Sequence, residues 1–582
     1  MVYGVLKKKL KPPYFQYKGE SGNITGNVID SFISQESGSN LVSSKHGQLQ
    51  QNKNMEYVSA GSKVFLRTKR GSTLVKDINK RSYGAKIYTY NLTDDYFVWA
   101  DYDGNLKYCT VAGGTISDLV TGLTNGREHS FLMYGLQTIS ALYGVNYTDG
   151  MYKVSGSTPT YSAIANSPKM IDFCFSTESK RIFGLLNHTL YWSEAHTSIT
   201  TLDNLEDFGW NVSVWDNSQI VSPGRGYGFT ACIESNQVTC LFKDIGIWGL
   251  INANEDVANW SFSQLSSDTG TKSKKTVKHI RYGSSAEGIC FLGSDKTLRF
   301  FDVQIERNSG YVPSITRKNS HVISVPFQDI LDKIPSGYLS ICTAEFYDGS
   351  YYLNIVSEFS TRIDMTLVID MRKLLPATDE SPFPQPYWYK SENMDYTDFA
   401  IRAYDNSLYG FNFYGFISKL LVSGKKYEEF PTRVFPAQDY EDVSSVRHVA
   451  IEFDAYTGWR LYSDSLLLLK SISINWFVDG DYTLTLSTSA FAKGEVLPDY
   501  TAGLTLTLKP ITGSRSYFDY ALFDIARFSE TDGNQSSQPN ISLRGNYFCF
   551  GIKSTTLNSF ISLYSIQPFF KAIRAGYTGK RI

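Results

Sequence analysis

An excess of charge of either sign is what this chain most plainly lacks: 56 Lys and Arg face 57 Asp and Glu, a net charge of −1. Proteins that grip nucleic acid by neutralising phosphates are visibly basic, so any DNA contact is expected to be loose or confined to a small patch. Paired cysteines are missing too. Cys109, Cys174, Cys232, Cys240, Cys290, Cys342 and Cys549 are odd in number and scattered, with no CxxC. That excludes a disulfide framework and a thiolate zinc site, and most of the seven read as small buried hydrophobes of a reducing compartment. No window approaches the ~20 apolar residues of a membrane-crossing helix, and the longest leucine run, Leu466 to Leu469, is bracketed by Asp464 and Lys470. The basic opening of the chain has no apolar core of signal-peptide length, so no membrane insertion is expected.

Chemistry is equally scarce. The strings GxSxG, HExxH, GxxxxGK[ST] and GxGxxG, which place nucleophiles, metals and phosphates, do not occur. The histidines (His46, His129, His188, His196, His279, His321, His448) are dispersed, and the spacing of His188 and His196 matches no helical or zinc-ligand pattern. Asp101-Tyr102-Asp103-Gly104-Asn105 opens like a calcium loop but lacks the later oxygen ligands, so it reads as a hairpin turn. Gly224 to Gly228 is glycine-rich, yet it precedes a strand-like stretch rather than a helix and reads as a loop. Trp215-Asp216 stands without the repeat or the Gly-His partner of a WD40 array. No catalytic, cofactor-binding or metal-binding residue is assigned. Neither enzyme activity nor a cofactor is expected.

What the chain does have is aromatic residues, 15% of 582, carried by 40 Tyr and 36 Phe. Tyr and Phe favour pleated, half-buried surfaces, and 45 Gly fit many tight turns, so the fold class is all-β. Between about Glu56 and Leu421 one theme recurs: a short apolar strand, a polar turn, then a strand opening on an aliphatic and an aromatic residue. Asp95 to Ala100, Asp103 to Asn105 and Leu106 to Tyr108 form one copy; Lys180 to Leu185, Asn187-His188 and Thr189 to Trp192 form another. Anchored on Leu106, Met151, Leu190, Ile247, Leu298, Leu367 and Leu408, the copies stand 39 to 69 residues apart, with an earlier copy at Val64. Strand-rich repeats of this length predict an irregular β-propeller of about seven or eight four-stranded blades, with a strand near Val64 closing the ring.

Three regions follow. Residues 1–54 are polar and rich in Ser, Gly, Asn and Gln, and read as an extended arm that serves docking more than folding. Residues 55–427 form the propeller. Residues 428–582 contain strictly alternating stretches, Tyr482 to Leu486 and Leu504 to Leu508, that predict a β-sandwich domain with a basic C-terminal tail.

One resemblance adds to this reading. Lys180-Arg181-Ile182-Phe183-Gly184-Leu185-Leu186-Asn187-His188-Thr189-Leu190-Tyr191-Trp192-Ser193 resembles an arginine-led strand pair of tailed-phage tail proteins, and Leu205 to Trp210 follows it as in their pattern. Val238 to Trp248, Tyr351 to Leu353 with Thr366 to Asp370, and Arg544 to Phe550 with Ile561 to Phe570 are similar to further shared patterns. The family is the nozzle, or tubular tail protein B, of short-tailed phages, with the related packaged-DNA stabilisation proteins. The resemblance implies a structural virion protein, assembled in the host bacterial cytoplasm and located in the tail. It implies a ring, a hexamer, docked to the portal and adaptor and to other tail proteins, that retains packaged DNA and conducts it during ejection. Contact with genomic DNA would be transient and non-specific. The polar arm and the irregular blade spacing depart from the family's pattern. In a conduit of this kind, the basic clusters Lys7 to Lys9, Lys272 to Lys275 and Lys580-Arg581 are expected at solvated loops or subunit contacts, away from the bore. The alternative is a receptor- or glycan-binding propeller, using the nine Trp and many Tyr for ring stacking.

Overall fold

The structure, a computed structural model, describes residues 49–572 apart from short internal stretches, the longest 493–503 and 509–533, together with residues 16–17, 23–25, 29 and 31. Lys7 to Lys9, Gly224 to Gly226 and Lys580-Arg581 lie outside the described residues. The chain divides into two compact units. The propeller unit holds residues 71–425 and 429–448, and the terminal unit holds 1–70, 426–428 and 449–582.

Seven four-stranded antiparallel meanders follow one another among the described residues of the propeller unit. They occupy residues 82–120, 130–163, 172–220, 229–266, 278–322 and 343–391, and the seventh combines 396–422 with the strand Gly71–Asp77. The physical reason for their sequence pattern is burial on both faces. In the first blade, Phe97 and Trp99 of the strand Asp95–Asp101 point one way and pack with Tyr409 and Phe411 of the seventh blade. Val98 and Ala100 point the other way and pack with Leu142 and Tyr152 of the second. Alternate residues therefore face different neighbours, and both sets must be apolar. Shared cores of this kind join second to third, third to fourth, fourth to fifth and fifth to sixth blades. Sixth and seventh are joined by side chains that reach across: Thr343 Oγ1 and Asn354 Nδ2 both donate to the Tyr396 carbonyl. The ring is closed, and it is a β-propeller.

The closing strand is Gly71–Asp77, which pairs antiparallel with Phe416–Val422. The strand expected to close the ring, around Val64, pairs instead within the terminal unit, Lys63–Thr68 against Met55–Ala60. Leu408 also takes another place than its repeat position suggested: it lies on the second strand of its blade, Ser407–Asn412, whereas Leu106, Leu190 and Leu298 lie on third strands. The irregular spacing has a visible source. Between Leu190 and Ile247 the chain inserts a helical turn, Asp203–Glu206, and a two-stranded ribbon. Between Leu298 and Leu367 it inserts the helical linker 325–341. The hairpin turns carry the expected left-handed backbone, with Asn187 at φ 53° and Gly104 at φ 76°.

The terminal unit is built differently. Its longest strands, Leu467–Asp479 and Phe560–Ala572, pair along nearly their whole length. Within Leu467–Asp479 the buried set shifts from Leu467 and Leu469 to Ile472, Ile474 and Trp476, because a bulge after Leu469 moves the side chains by one residue. A second sheet carries Leu49–Lys53, Phe453–Thr457, Tyr547–Ser554, Leu484–Phe491 and Leu504–Leu508. The two sheets meet through aromatic rings, Phe548 and Phe570 lying 4.8 Å apart. The division differs from the one drawn on sequence, since described strands within the stretch expected as an extended arm belong to these sheets. Asn23–Thr25 pairs with residues 569–571, Ile29 bridges to Ile566, and Leu49–Lys53 pairs with residues 454–457. The stretch is polar because a strand held by backbone pairing needs only a few apolar contacts, here the buried Ile29 and Leu49.

Candidate functional site: the axial cavity

The first strands of neighbouring blades lie against one another except between the fourth and fifth, where the helical turn Lys274–Thr276 lies against the fourth, so these segments surround the propeller axis. A cavity of about 140 Å³ opens among them. Its lining comes from six of the seven blades: Lys86 from the first, Ser130 from the second, Asp172 from the third, Lys278 from the fifth, Thr343 from the sixth and Asp398 from the seventh. Lys274 and Lys275, on the linker into the fifth blade, complete it.

These charges interlock. Lys275 Nζ lies 2.6 Å from Asp398 and 2.8 Å from Glu128, and also donates to the Thr397 carbonyl at 3.3 Å. Lys274 Nζ donates to Ser130 Oγ at 2.7 Å and to the Ile171 carbonyl at 2.8 Å, with Glu128 at 3.7 Å. Lys278 pairs with Glu345 at 2.9 Å. Asp172 accepts from the backbone N–H of Cys232 at 3.1 Å, and Asp398 accepts from Ser82 Oγ at 2.7 Å. Lys86 differs from the other three lysines. It has no hydrogen-bond or ion-pair partner among the described residues.

Protonation follows this arrangement. Burial works to raise the Glu128 carboxyl, but Lys275, Lys274 and Arg81 outweigh it and hold it down to about 2. Burial raises Asp172 above the usual carboxylate range, against the pull of Lys274. Burial likewise lowers the Lys86 ammonium; Glu345 offsets part of this and Lys278 adds to it. Lys275 stays above its ordinary value because Asp398 and Glu128 overcome the cost of burial. Next to the cavity, buried His129 accepts from Asn146 Nδ2 at Nε2, 3.2 Å, which leaves its proton on Nδ1, 2.7 Å from Tyr152 Oη. Burial, then the nearby Lys274, push this imidazole down to about 4, so it is neutral at physiological pH. Tyr152 fits only because residue 144 is Gly: a Cβ there would stand 2.3 Å from the Tyr152 ring.

The expectation for the basic cluster Lys272 to Lys275 needs correction. Lys272 is exposed, but the Lys274 and Lys275 side chains are only 15% and 17% exposed and belong to the cavity. They are drawn in by Glu128 and Asp398, which come from distant parts of the chain. Sequence reasoning also passed over Lys86, Asp172, Lys278 and Asp398. The signal was partial: Lys86 is the one charged residue of its first strand and Asp172 opens another, whereas Lys278 and Asp398 share theirs with Arg281 and Arg402. Asp101, read as a turn residue, caps its hairpin by accepting from the backbone N–H groups of Asp103 and Asn105, both at 3.0 Å. The seven cysteines are all buried and unpaired; burial pushes the Cys109 thiol up to about 11 and Cys342 and Cys549 up to about 12. Among the described residues no three His, Cys, Asp or Glu side chains gather as a metal set, and no helix is long and apolar enough to cross a membrane.

No family model and no curated protein matches this chain. Among solved structures, the computationally designed Ika8 protein is 10% identical, covering 60% of this chain and 99% of its own, with a TM-score of 0.32. Raptor of Chaetomium thermophilum is 10% identical over 61% of this chain and 30% of its own, TM-score 0.38. The Cps50 (Swd1) β-propeller domain of Myceliophteria thermophila is 9% identical over 61% of this chain and all of its own, TM-score 0.39. Likenesses this faint carry no argument about what the chain does. The strand connectivity alone establishes the propeller.

Proposed function

We propose that this chain is a structural virion protein of a bacteriophage tail, a subunit of a ring-shaped nozzle that retains packaged DNA and conducts it at ejection, and not an enzyme. The observation that carries this reading is the closure of the propeller. Its last blade takes the strand Gly71–Asp77 from the other end of the unit, so the ring cannot open without withdrawing a fully paired strand. A component that must bear load during genome release gains from such a closure. The arginine-led hairpin that carries the family resemblance is consistent with this reading. Arg181 Nη1 donates to the Ser193 carbonyl at 2.7 Å, and Ser193 Oγ accepts from the Ile182 N–H at 2.9 Å, so the motif's arginine and its final serine tie its strands together. Leu205 and Phe208 of the following segment are buried in the core between the second and third blades.

Portal, adaptor and other tail proteins are the partners this role requires, and a sixfold homo-oligomer is its assembled form. Negative-stain electron microscopy of the purified full chain, with its mass in solution, tests the proposal. Sixfold rings with a central channel are expected. A monomer or trimer that binds a glycan array would overturn it in favour of the second reading. One observation favours that second reading: Tyr102, Tyr147 and Phe359 are exposed on the turns between second and third strands, and so lie at one end of their blades.

A further inference from the structure

The lysines that line the axial cavity are not equally satisfied. Each lysine ammonium carries three N–H donors and no acceptor. Lys275 spends all three on Asp398, Glu128 and the Thr397 carbonyl. Lys274 is held by Ser130, the Ile171 carbonyl and Glu128. Lys278 is bound through Glu345. Of the acids, Asp398 is bound by Lys275 and Ser82, and Asp172 accepts from the Cys232 N–H. Lys86 alone lines the cavity with nothing to donate to among the described residues. Lys86 is half-buried at the wall of the cavity, and an anion there would give its ammonium the paired counter-charge that no described side chain supplies.

We propose that the axial cavity binds a small oxyanion, of the phosphate or compact dicarboxylate class, held on the ammonium of Lys86. Size decides against larger ligands. Sites for drug-sized molecules span about 300–1,000 Å³, whereas this cavity holds about 140 Å³, enough for a tetrahedral oxyanion or a short diacid. The spare N–H donors of Lys278, whose field already acts on Lys86, give the anion a second cation. Burial lowers the Lys86 ammonium, and a bound anion would raise it again. The site depends on the propeller and not on the tail proposal, so the failure of either leaves the other standing.

The test uses the full chain, titrated with inorganic phosphate and with malonate against chloride at matched ionic strength, by calorimetry and thermal unfolding. Saturable binding is expected with at least one of the two oxyanions, with a rise in the unfolding temperature of the propeller unit. Lys86→Met, which keeps the unbranched stem and removes the ammonium, is expected to weaken that binding by about tenfold or more, the loss expected for a hydrogen bond to a charged group. Equal responses in wild type and K86M, or no response beyond that to chloride, would overturn the proposal. Should K86M not fold, reductive methylation of the wild-type protein read by mass spectrometry replaces it. Protection of Lys86 by the anion supports the site, and equal labelling with and without the anion refutes it. A 5′-phosphorylated oligonucleotide separates the sources of phosphate: if it binds more tightly than free phosphate, the small-ligand assignment falls.

Discussion

The propeller unit and the terminal unit are both antiparallel β-sheet, yet they place opposite demands on the chain. In the propeller unit, most strands that pair are neighbours in sequence, joined by turns as short as Asn187-His188; Gly71–Asp77, and Ser218–Ile220 beyond its inserted ribbon, depart from this. The terminal unit has local hairpins too, but other pairs span almost the whole chain, as when residues 23–25 meet residues 569–571. Local pairing costs little loop entropy, and each blade can form before the ring closes. The terminal unit has no such route, because its sheets are incomplete until both ends of the chain are present. Closely related local architecture thus comes with very different dependence on distant sequence.

Removing the first 53 residues is the strongest way to break this contrast. The deletion strips Asn23–Thr25 and Leu49–Lys53 from the terminal unit and leaves every blade strand in place. Scanning calorimetry is expected to lose the unfolding transition of the terminal unit while that of the propeller unit survives. Retention of both transitions would show that the N-terminal strands are dispensable, as an arm would be.

Single aromatic truncations sharpen the comparison at lower cost. Phe411 is fully buried between the first and seventh blades, and Phe570 lies against Phe548 and Tyr462 in the terminal unit. Each change to Ala is expected to cost about 3–5 kcal/mol. Denaturant unfolding followed by hydrogen exchange is expected to show Phe411→Ala loosening blades and Phe570→Ala loosening only the terminal sheets. Uniform loosening by either one would show that the two units do not unfold separately.

A smaller effect should appear on acidification, again in the propeller unit. His129 is held down to about 4 in the folded chain against an ordinary value of 6.5, so the unfolded chain binds its proton first. Stability is therefore complete above pH 6.5 and declines as the pH falls toward 4, by about 3 kcal/mol if this residue acts alone. Equilibrium unfolding as a function of pH is expected to show the decline in wild type and a flatter curve in His129→Gln. An unchanged slope in the variant would assign the acid sensitivity elsewhere.

Much of the propeller was legible in sequence because its strands are local and apolar on both faces. Runs such as Phe97-Val98-Trp99-Ala100 mark a strand packed between two neighbours, and the turn chemistry at Asn187 and Gly104 marks the hairpins between them. The interval between such copies set the blade repeat. Pairing between distant segments left no comparable trace: the polar stretch Leu49–Lys53 contains nothing that selects residues 454–457 as its partner, and nothing around Val64 excludes it from the ring. The axial cavity was illegible for the same reason. Lys86, Lys274, Glu128 and Asp398 are ordinary charged residues until closure of the ring gathers them at its centre, where burial and mutual charge decide which are paired and which is left over. Composition and local pattern determine strands, turns and repeat length, since those depend on neighbours in the chain; partners, closure and the charge of the cavity depend on neighbours in space, and only the tertiary structure decides them.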